Sequence, residues 1–326
     1  MKTLTKEERL SSLHRFEART LSGSPLPTIE IKTIFVPLDF SPASLEALNY
    51  AIPLAKEFGA AVHLVHVSDK QKASEVFRTD ELTTETVEWI EFLRDRLSLI
   101  HQKHLPPSWP KNDHVRAGQP YEQICDLARE IHADLIVIGT RGHTGLSRIL
   151  LGSTAERVVR LALCPVLAVR RREHKQPKEF RLRKILAPVD FSQCSMLGSA
   201  YAAFFAKTFD AKLLLLHVFA GVMSAATDKA SKDKDDAIDL ENARLDLEAF
   251  SQLDFLDKVR PATEIRAGYP VDEICREAVK SEIDLVAIAT HGRSGFNRVF
   301  LGSVAEHVIR YAECPVLVIP GRFRNS

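Results

Sequence analysis

The stretch that decides the fold occurs twice in the chain. Residues 134–169 are DLIVIGTRGHTGLSRILLGSTAERVVRLALCPVLAV, and residues 284–319 are DLVAIATHGRSGFNRVFLGSVAEHVIRYAECPVLVI. Of the 36 paired positions, 19 are identical. The segment IFVPLDFS at Ile34–Ser41 also returns, as ILAPVDFS at Ile185–Ser192. The repeat indicates that the chain is two copies of one domain of about 140 residues.

Within each copy, short apolar runs alternate with longer amphipathic stretches. Continuous apolar strands separated by helices are typical of a parallel sheet that is covered on both faces. Right-handed crossovers then predict two doubly wound α/β domains, with ligands beyond the carboxyl ends of the strands. In the first copy we expect strands at 33–38, 61–67, 115–117, 135–138 and 166–169, and helices at 42–58, 81–101, 121–131 and 154–163.

Composition excludes several classes of function. The 326 residues include 44 Lys and Arg against 43 Asp and Glu, so no global basic field is available for nucleic acid or an anionic membrane. Five single cysteines without a CxxC pair indicate reduced thiols and no zinc site. A charged N-terminus and the absence of an apolar run of about 20 residues predict a cytoplasmic protein without a membrane span.

The repeat also predicts the domain boundaries. We expect an N-terminal extension at 1–30, a first domain at 31–170, a polar linker at 171–181, a second domain at 182–321 and a tail at 322–326. The extension matches nothing in the second copy.

The first copy carries the motif Gly139-x2-Gly142-x9-Gly152-Ser153 between a predicted strand and a predicted helix. Glycines there permit a tight turn and a close approach of the backbone to a ligand. Free N–H groups and the helix dipole at the start of the helix favour an anion, which predicts a nucleotide phosphate site. The alternative is that the glycines only shape a turn and that Ser153 only caps the helix. No Walker lysine is present, so fast phosphoryl transfer has no evident agent.

Both copies resemble the universal stress protein family. GTRGHTGLSRILLGSTAERV and ATHGRSGFNRVFLGSVAEHV are similar to its G-2x-G-9x-G-(S/T) nucleotide signature, and the VPLDFS, APVDFS and CPVL segments also fit. The resemblance covers residues 31–321. It implies five-stranded sheets in the order 3-2-1-4-5 of the adenine nucleotide alpha hydrolase-like fold. It also implies a regulatory role in the stress response, with ATP and its Mg²⁺ as the ligand.

Carried over residue by residue, the resemblance assigns one nucleotide site to each domain. Ala289 stands where the signature has its first glycine, and its methyl group costs about 1 kcal/mol or more if φ is positive. We therefore expect one tight site per chain, in the first domain. The adenine and ribose of that site are expected to contact Pro37, Asp39, Val67 and Ile138, and its phosphates Gly139, Gly142, Gly152, Ser153 and Thr154. The matching positions of the second domain are Pro188, Asp190, Val218, Gly292, Gly302, Ser303 and Val304.

Three functions remain open: an ATP-binding regulatory protein, a slow ATPase or ATP-dependent transferase, and a scaffold that binds no nucleotide. We single out no catalytic and no metal-binding residue. Asp39 and Asp190 are alternatively general bases or loop caps, and His66 and His217 are interpreted as satisfied core histidines.

The last strands of the two copies, Val166–Val169 and Val316–Ile319, are edge strands in this order. Pairing would cover these apolar edges. We expect the two domains to pair through them inside one chain. A homodimer and an unidentified regulatory protein are the further partners we consider.

Overall fold

The structure is a computed structural model that describes residues 28–68, 84–140, 151–170, 180–219, 229–290 and 301–321. The predicted tail, most of the predicted linker and residues 1–27 lie outside this set. The chain divides into two compact units, Glu30–Phe180 and Arg181–Arg322. The domain boundaries at 31–170 and 182–321 stay predictions.

The first unit is a parallel sheet whose strands are joined by helices. Its elements are β1 Thr33–Pro37, α1 Pro42–Phe58, β2 Ala61–Ser68, α2 Thr84–His104, β3 Asn112–Ala117, α3 Pro120–Glu130, β4 Leu135–Gly139, α4 Ser153–Leu161 and β5 Val166–Val169. The strands lie in the order β3-β2-β1-β4-β5, and each neighbouring pair is parallel.

The second unit repeats this plan. Its elements are β6 Lys184–Pro188, α5 Gln193–Thr208, β7 Lys212–Phe219, α6 Lys229–Phe250, a short 3₁₀ turn at Asp254–Leu256, β8 Ala262–Ala267, α7 Pro270–Lys280, β9 Leu285–Ala289, α8 Ser303–Tyr311 and β10 Val316–Ile319. The order is β8-β7-β6-β9-β10, again with parallel neighbours. Both units therefore have the predicted 3-2-1-4-5 order.

Local sequence explains the helix after each first strand. Ser41 caps α1 by accepting a hydrogen bond from the Ser44 backbone N–H at 3.2 Å, and Pro42 stands at the first helical position. Gly59 ends the helix in the left-handed conformation, with φ of 65°. Ser192 caps α5 in the same way. In each unit, the capping serine therefore sets the point at which the loop after the first strand ends and the helix begins.

The third strand is longer than the sequence pattern predicts. β3 begins at Asn112 and not at Val115. This edge strand is half-buried along its whole length, and its first residues have polar side chains. A search for apolar runs misses such residues. The helix predicted to end at His101 continues to His104. Within the described part of the chain, we find no helix whose length and apolar character would let it cross a membrane.

Candidate functional site

The carboxyl ends of the strands bring the predicted adenine-side residues to one edge of each sheet. In the first unit, β1 lies between β2 and β4, and all three run parallel. Pro37 ends β1, Val67 is next to last in β2, and Ile138 is next to last in β4. Asp39 follows β1 and is exposed at the same edge. The second unit presents Pro188, Val218 and Ile288 in these positions, with Asp190 after the strand.

The loop after the first strand holds its carboxylate in a fixed orientation. The Ser41 backbone N–H donates to Asp39 Oδ1 at 2.9 Å. Between them, Phe40 has a φ of 63°, a left-handed value that costs a residue with a side chain about 1–3 kcal/mol. The second unit repeats the bond to Asp190 at 3.0 Å and a φ of 62° at Phe191. A costly turn that occurs twice at the same sheet edge indicates a functional loop.

A histidine supports each of these phenylalanines. His66 Nδ1 lies 2.8 Å from the carbonyl oxygen of Leu38, so this nitrogen carries a proton and donates. The His66 ring stacks on Phe40, with centroids 4.3 Å apart. His217 Nδ1 makes the matching bond to the Val189 carbonyl at 2.7 Å. The histidines are hydrogen-bonded, as the sequence suggests, but they are half-buried at the edge of the site and outside the core.

A buried threonine joins the two ends of the glycine-rich loop. The Thr140 N–H donates to the Val169 carbonyl at 2.9 Å, and the Thr140 carbonyl accepts from the Gly152 N–H at 2.8 Å. Thr290 makes the same two bonds, to Ile319 and from Gly302. Sequence reasoning missed both threonines and both phenylalanines, although each is identical in the two copies. The predicted phosphate residues Gly142 and Gly292 lie between the anchors, outside the described residues.

The helix that follows the loop presents an uncapped N-terminus. Gly152 is the N-cap of α4, with no side-chain hydrogen bond to the first turn, and exposed Ser153 is the first helical residue. The alternative that Ser153 caps the helix is therefore wrong. Glu156 in the first turn is paired with Arg160 at 2.8 Å, which offsets its negative charge. In the second unit, α8 has the same cap at Gly302, Ser303 exposed after it, and a Glu306–Arg310 pair at 2.9 Å. Such a helix end is suited to an anion.

The first signature glycine has a packing role that the sequence does not reveal. A Cβ built on Gly139 would lie 2.6 Å from the carbonyl oxygen of Ala43 in α1, too close for any side chain. The missing side chain therefore makes room for α1, where we expected room for a ligand. The contact of Gly139 with phosphate stays a prediction.

The second unit has a methyl group at the end of its fourth strand and a glycine on the helix. Ala289 is not among the six residues other than glycine that have a positive φ in the described part of the chain. Its methyl group faces Gly198 of α5, where an added Cβ would lie 3.7 Å from the Ala289 Cβ and 3.3 Å from its nitrogen. Gly198 matches Ala47 of the first unit. The physical reason for doubting the second site is therefore absent.

Comparison with known proteins identifies the family of the chain. The model described as the universal stress protein family matches residues 30–170 and again residues 181–320. The chain belongs to the universal stress protein family. Universal stress protein MJ0531 of Methanocaldococcus jannaschii is 40% identical over 150 residues, which are 45% of this chain and 84% of that protein. Universal stress protein G of Escherichia coli O157:H7 is 36% identical over 149 residues, or 43% of this chain and 99% of its own.

Solved structures of the family show the same fold. The crystal structure of a universal stress protein from Archaeoglobus fulgidus covers 89% of this chain and 98% of its own, with a TM-score of 0.63 and 21% identity. Among the residues that the structure describes here, no group of three or more His, Cys, Asp or Glu side chains could hold a metal ion.

Proposed function

We propose that this universal stress protein is an adenine-nucleotide-binding regulatory protein, and that the cleft of its first unit holds ATP with Mg²⁺. One observation carries the proposal. Two backbone hydrogen bonds of Thr140, which follows β4, connect the uncapped start of α4 to the end of β5. Asp39 lies at the same edge of the sheet, where the Ser41 N–H orients its carboxylate. A phosphate at the start of α4 would accept hydrogen bonds from the N–H groups of the first turn.

Different residues of the cleft would contact the phosphates, the ribose and the base. Ser153 and Thr154 would hold phosphate through their N–H and hydroxyl groups. Asp39 would accept a hydrogen bond from a ribose hydroxyl, because its carboxylate is kept at the strand end by the Ser41 N–H. Val67 and Ile138 would supply the apolar contact for the base. Magnesium would bind through the phosphates.

The proposal extends to the second cleft. Its loop, its threonine anchor and its helix start repeat those of the first, and Ala289 is accommodated by Gly198. Gly302, Ser303 and Val304 would hold the phosphate there. The pairing of the two units through their last strands, the cytoplasmic location and a protein partner stay predictions. We expect only slow hydrolysis, and a turnover above about 1 s⁻¹ would favour an enzyme.

The test combines identification of the ligand with one substitution per cleft. Nucleotide released from the denatured, purified chain is identified by mass, and ATP with Mg²⁺ is titrated calorimetrically into wild-type chain, Ser153→Glu and Ser303→Glu. Each glutamate places a carboxylate where phosphate would bind, and an acidic residue at a helix start is compatible with folding. We expect each variant to lose one of two sites and Ser153→Ala to keep both. Two sites unchanged in Ser153→Glu, or no binding by wild-type chain, would contradict the proposal.

A further inference from the structure

The first half of α2 borders the cleft of the first unit. Trp89 Nε1 donates to Ser68 Oγ at 3.4 Å, and Ser68 is the last residue of β2, directly after Val67. Further along the helix, the Arg96 guanidinium lies 4.3 Å from the ring centroid of Phe40, which follows Asp39. Side chains of α2 therefore reach the ends of both strands that frame the proposed base position.

Two aromatic rings on this part of α2 are exposed side by side. The centroids of Trp89 and Phe92 are 5.5 Å apart and their planes differ by 22°. Trp89 is 37% exposed and Phe92 51% exposed. We call this pair the Trp89–Phe92 platform. Stacked rings at the rim of a cleft offer a face on which a planar base can continue the stack.

The second unit has polar residues in these positions. The buried Leu97 of α2 matches the buried Leu247 of α6 at the same spacing of 150 residues that relates β3 to β8. In this alignment, Asp239 matches Trp89 and Asn242 matches Phe92, and Asp246 replaces Arg96. By this alignment, the second cleft has acidic and amide side chains where the first has Trp89, Phe92 and Arg96. The aromatic residue of α6 that lies against Phe191 is Phe250, which is fully buried and offers no exposed face.

We propose that the Trp89–Phe92 platform stacks the base of the nucleotide in the first cleft, and that this stacking distinguishes the two clefts. The inference rests on the proposed function and names the side chains that would recognise the base. Both clefts hold phosphate through the start of the last helix, but only the first selects strongly for a nucleotide over a phosphate chain without a base. The inequality between the sites comes from α2 and not from Ala289.

The experiment uses Trp89 as its own reporter. The chain has two tryptophans, and Trp109 precedes β3 at the opposite edge of the sheet, so Trp109→Phe leaves one tryptophan at the cleft. In the full chain carrying Trp109→Phe and Ser303→Glu, only the first cleft binds. ATP and inorganic tripolyphosphate, each with Mg²⁺, are titrated by fluorescence and by calorimetry. We expect ATP to quench Trp89 and tripolyphosphate to bind without quenching it.

Substitutions of the platform measure its contribution. Trp89→Leu should weaken ATP binding roughly tenfold to a hundredfold and leave tripolyphosphate binding unchanged, because stacking on an aromatic side chain acts on the base alone. Trp89→Phe should restore most of the loss. Leu99→Ala is the matched control, since Leu99 is 64% exposed on α2 but ten residues beyond Trp89. It should change neither affinity.

The outcomes separate the two proposals. If wild-type chain binds ATP but Trp89→Leu binds it equally well, or loses ATP and tripolyphosphate binding together, the platform is overturned and the proposed function stands. If tripolyphosphate quenches Trp89 as strongly as ATP, base stacking is likewise overturned. If wild-type chain binds no nucleotide, both proposals fail.

Discussion

The two units share one backbone plan but pack the end of the fourth strand against the first helix in different ways. In the first unit, the fourth strand ends in Gly139, and the matching helix position is Ala47. In the second, the strand ends in Ala289 and the helix carries Gly198. Gly139 lies against the Ala43 carbonyl, whereas the methyl group of Ala289 faces Gly198, so each unit has a glycine on one side of its helix–strand contact. A departure from a signature can therefore accompany a difference in packing.

The units differ more in the side chains around the second and third strands. In the first, His63 Nδ1 and His114 Nε2 are 3.0 Å apart on neighbouring strands, with ring planes within 6° of parallel. The second has Leu214 and Glu264 in these positions. There Arg266 pairs with Glu264 and donates to Glu277 at 2.9 Å. One unit thus has a pair of imidazoles where the other has an ion-pair network.

The largest effect should come from Gly139→Ala in the first unit. The added Cβ would meet the Ala43 carbonyl at 2.6 Å, and both partners belong to regular elements that cannot shift freely. We expect a loss of about 3 kcal/mol in the free energy of unfolding, at the upper end for overpacking. Both tryptophans, Trp89 and Trp109, lie in the first unit, so their fluorescence in a urea titration reports this unit alone.

The control is the reverse change in the second unit. Ala289→Gly should leave the fluorescence transition in place and move only the transition seen by far-ultraviolet circular dichroism. If Gly139→Ala unfolds at the urea concentration of wild-type chain, the close approach to Ala43 does not explain the glycine.

These contacts mark the limit of what the sequence could predict. The repeat and the apolar runs were sufficient for two parallel α/β domains and for the edge that carries the site, whereas the strand order came from the resemblance to the universal stress protein family. The sequence could not show why residue 139 is a glycine, because Ala43 is 96 residues away and no local pattern links the two positions. The left-handed turn at Phe40 was missed for a different reason: phenylalanine is not a residue expected at positive φ.

A smaller effect should come from exchanging the methyl group within the second unit. Ala289→Gly should cost about 1 kcal/mol, because it removes a half-buried methyl group and gives the strand end more backbone freedom. Gly198→Ala gains up to about 1 kcal/mol of helix propensity but tightens the contact with Ala289. In the double variant, the methyl group added at position 198 fills part of the space that Ala289→Gly opens, so we expect the double variant to be more stable than the sum of the single changes. Circular dichroism in urea measures all three, and exact additivity would show that the two methyl groups do not share this space.

The smallest effect should be a difference in how the two units respond to mild acid. Burial lowers the pKa of His63 below 6.5, and the charge of His114 lowers it further. The pKa of His114 is lowered by burial and by Arg116, against the opposing charges of Asp113 and Glu130. Because both folded pKa values lie below the unfolded value, the unfolded chain takes up protons first as the pH falls below 6.5. The first unit therefore loses stability in that window.

The second unit should respond less in that window, because Leu214 and Glu264 take the places of the imidazole pair. The pKa of Glu277 tends to rise through burial, but hydrogen bonds from Ser281 and Arg266 and the charges of Arg266 and Lys280 lower it below 4.5. The contribution of Glu277 to the free energy of unfolding is therefore present above pH 4.5 and is lost only in stronger acid. Between about pH 7.5 and about pH 5.5, the fluorescence midpoint in urea should fall, while the circular dichroism transition of the second unit should fall less. His63→Leu introduces the residue that the second unit has at this position, and it should reduce the fall of the fluorescence midpoint. His104, whose pKa is also lowered by burial, should account for part of the fall that remains. An equal fall in His63→Leu and wild-type chain would show that the imidazole pair does not set the acid response.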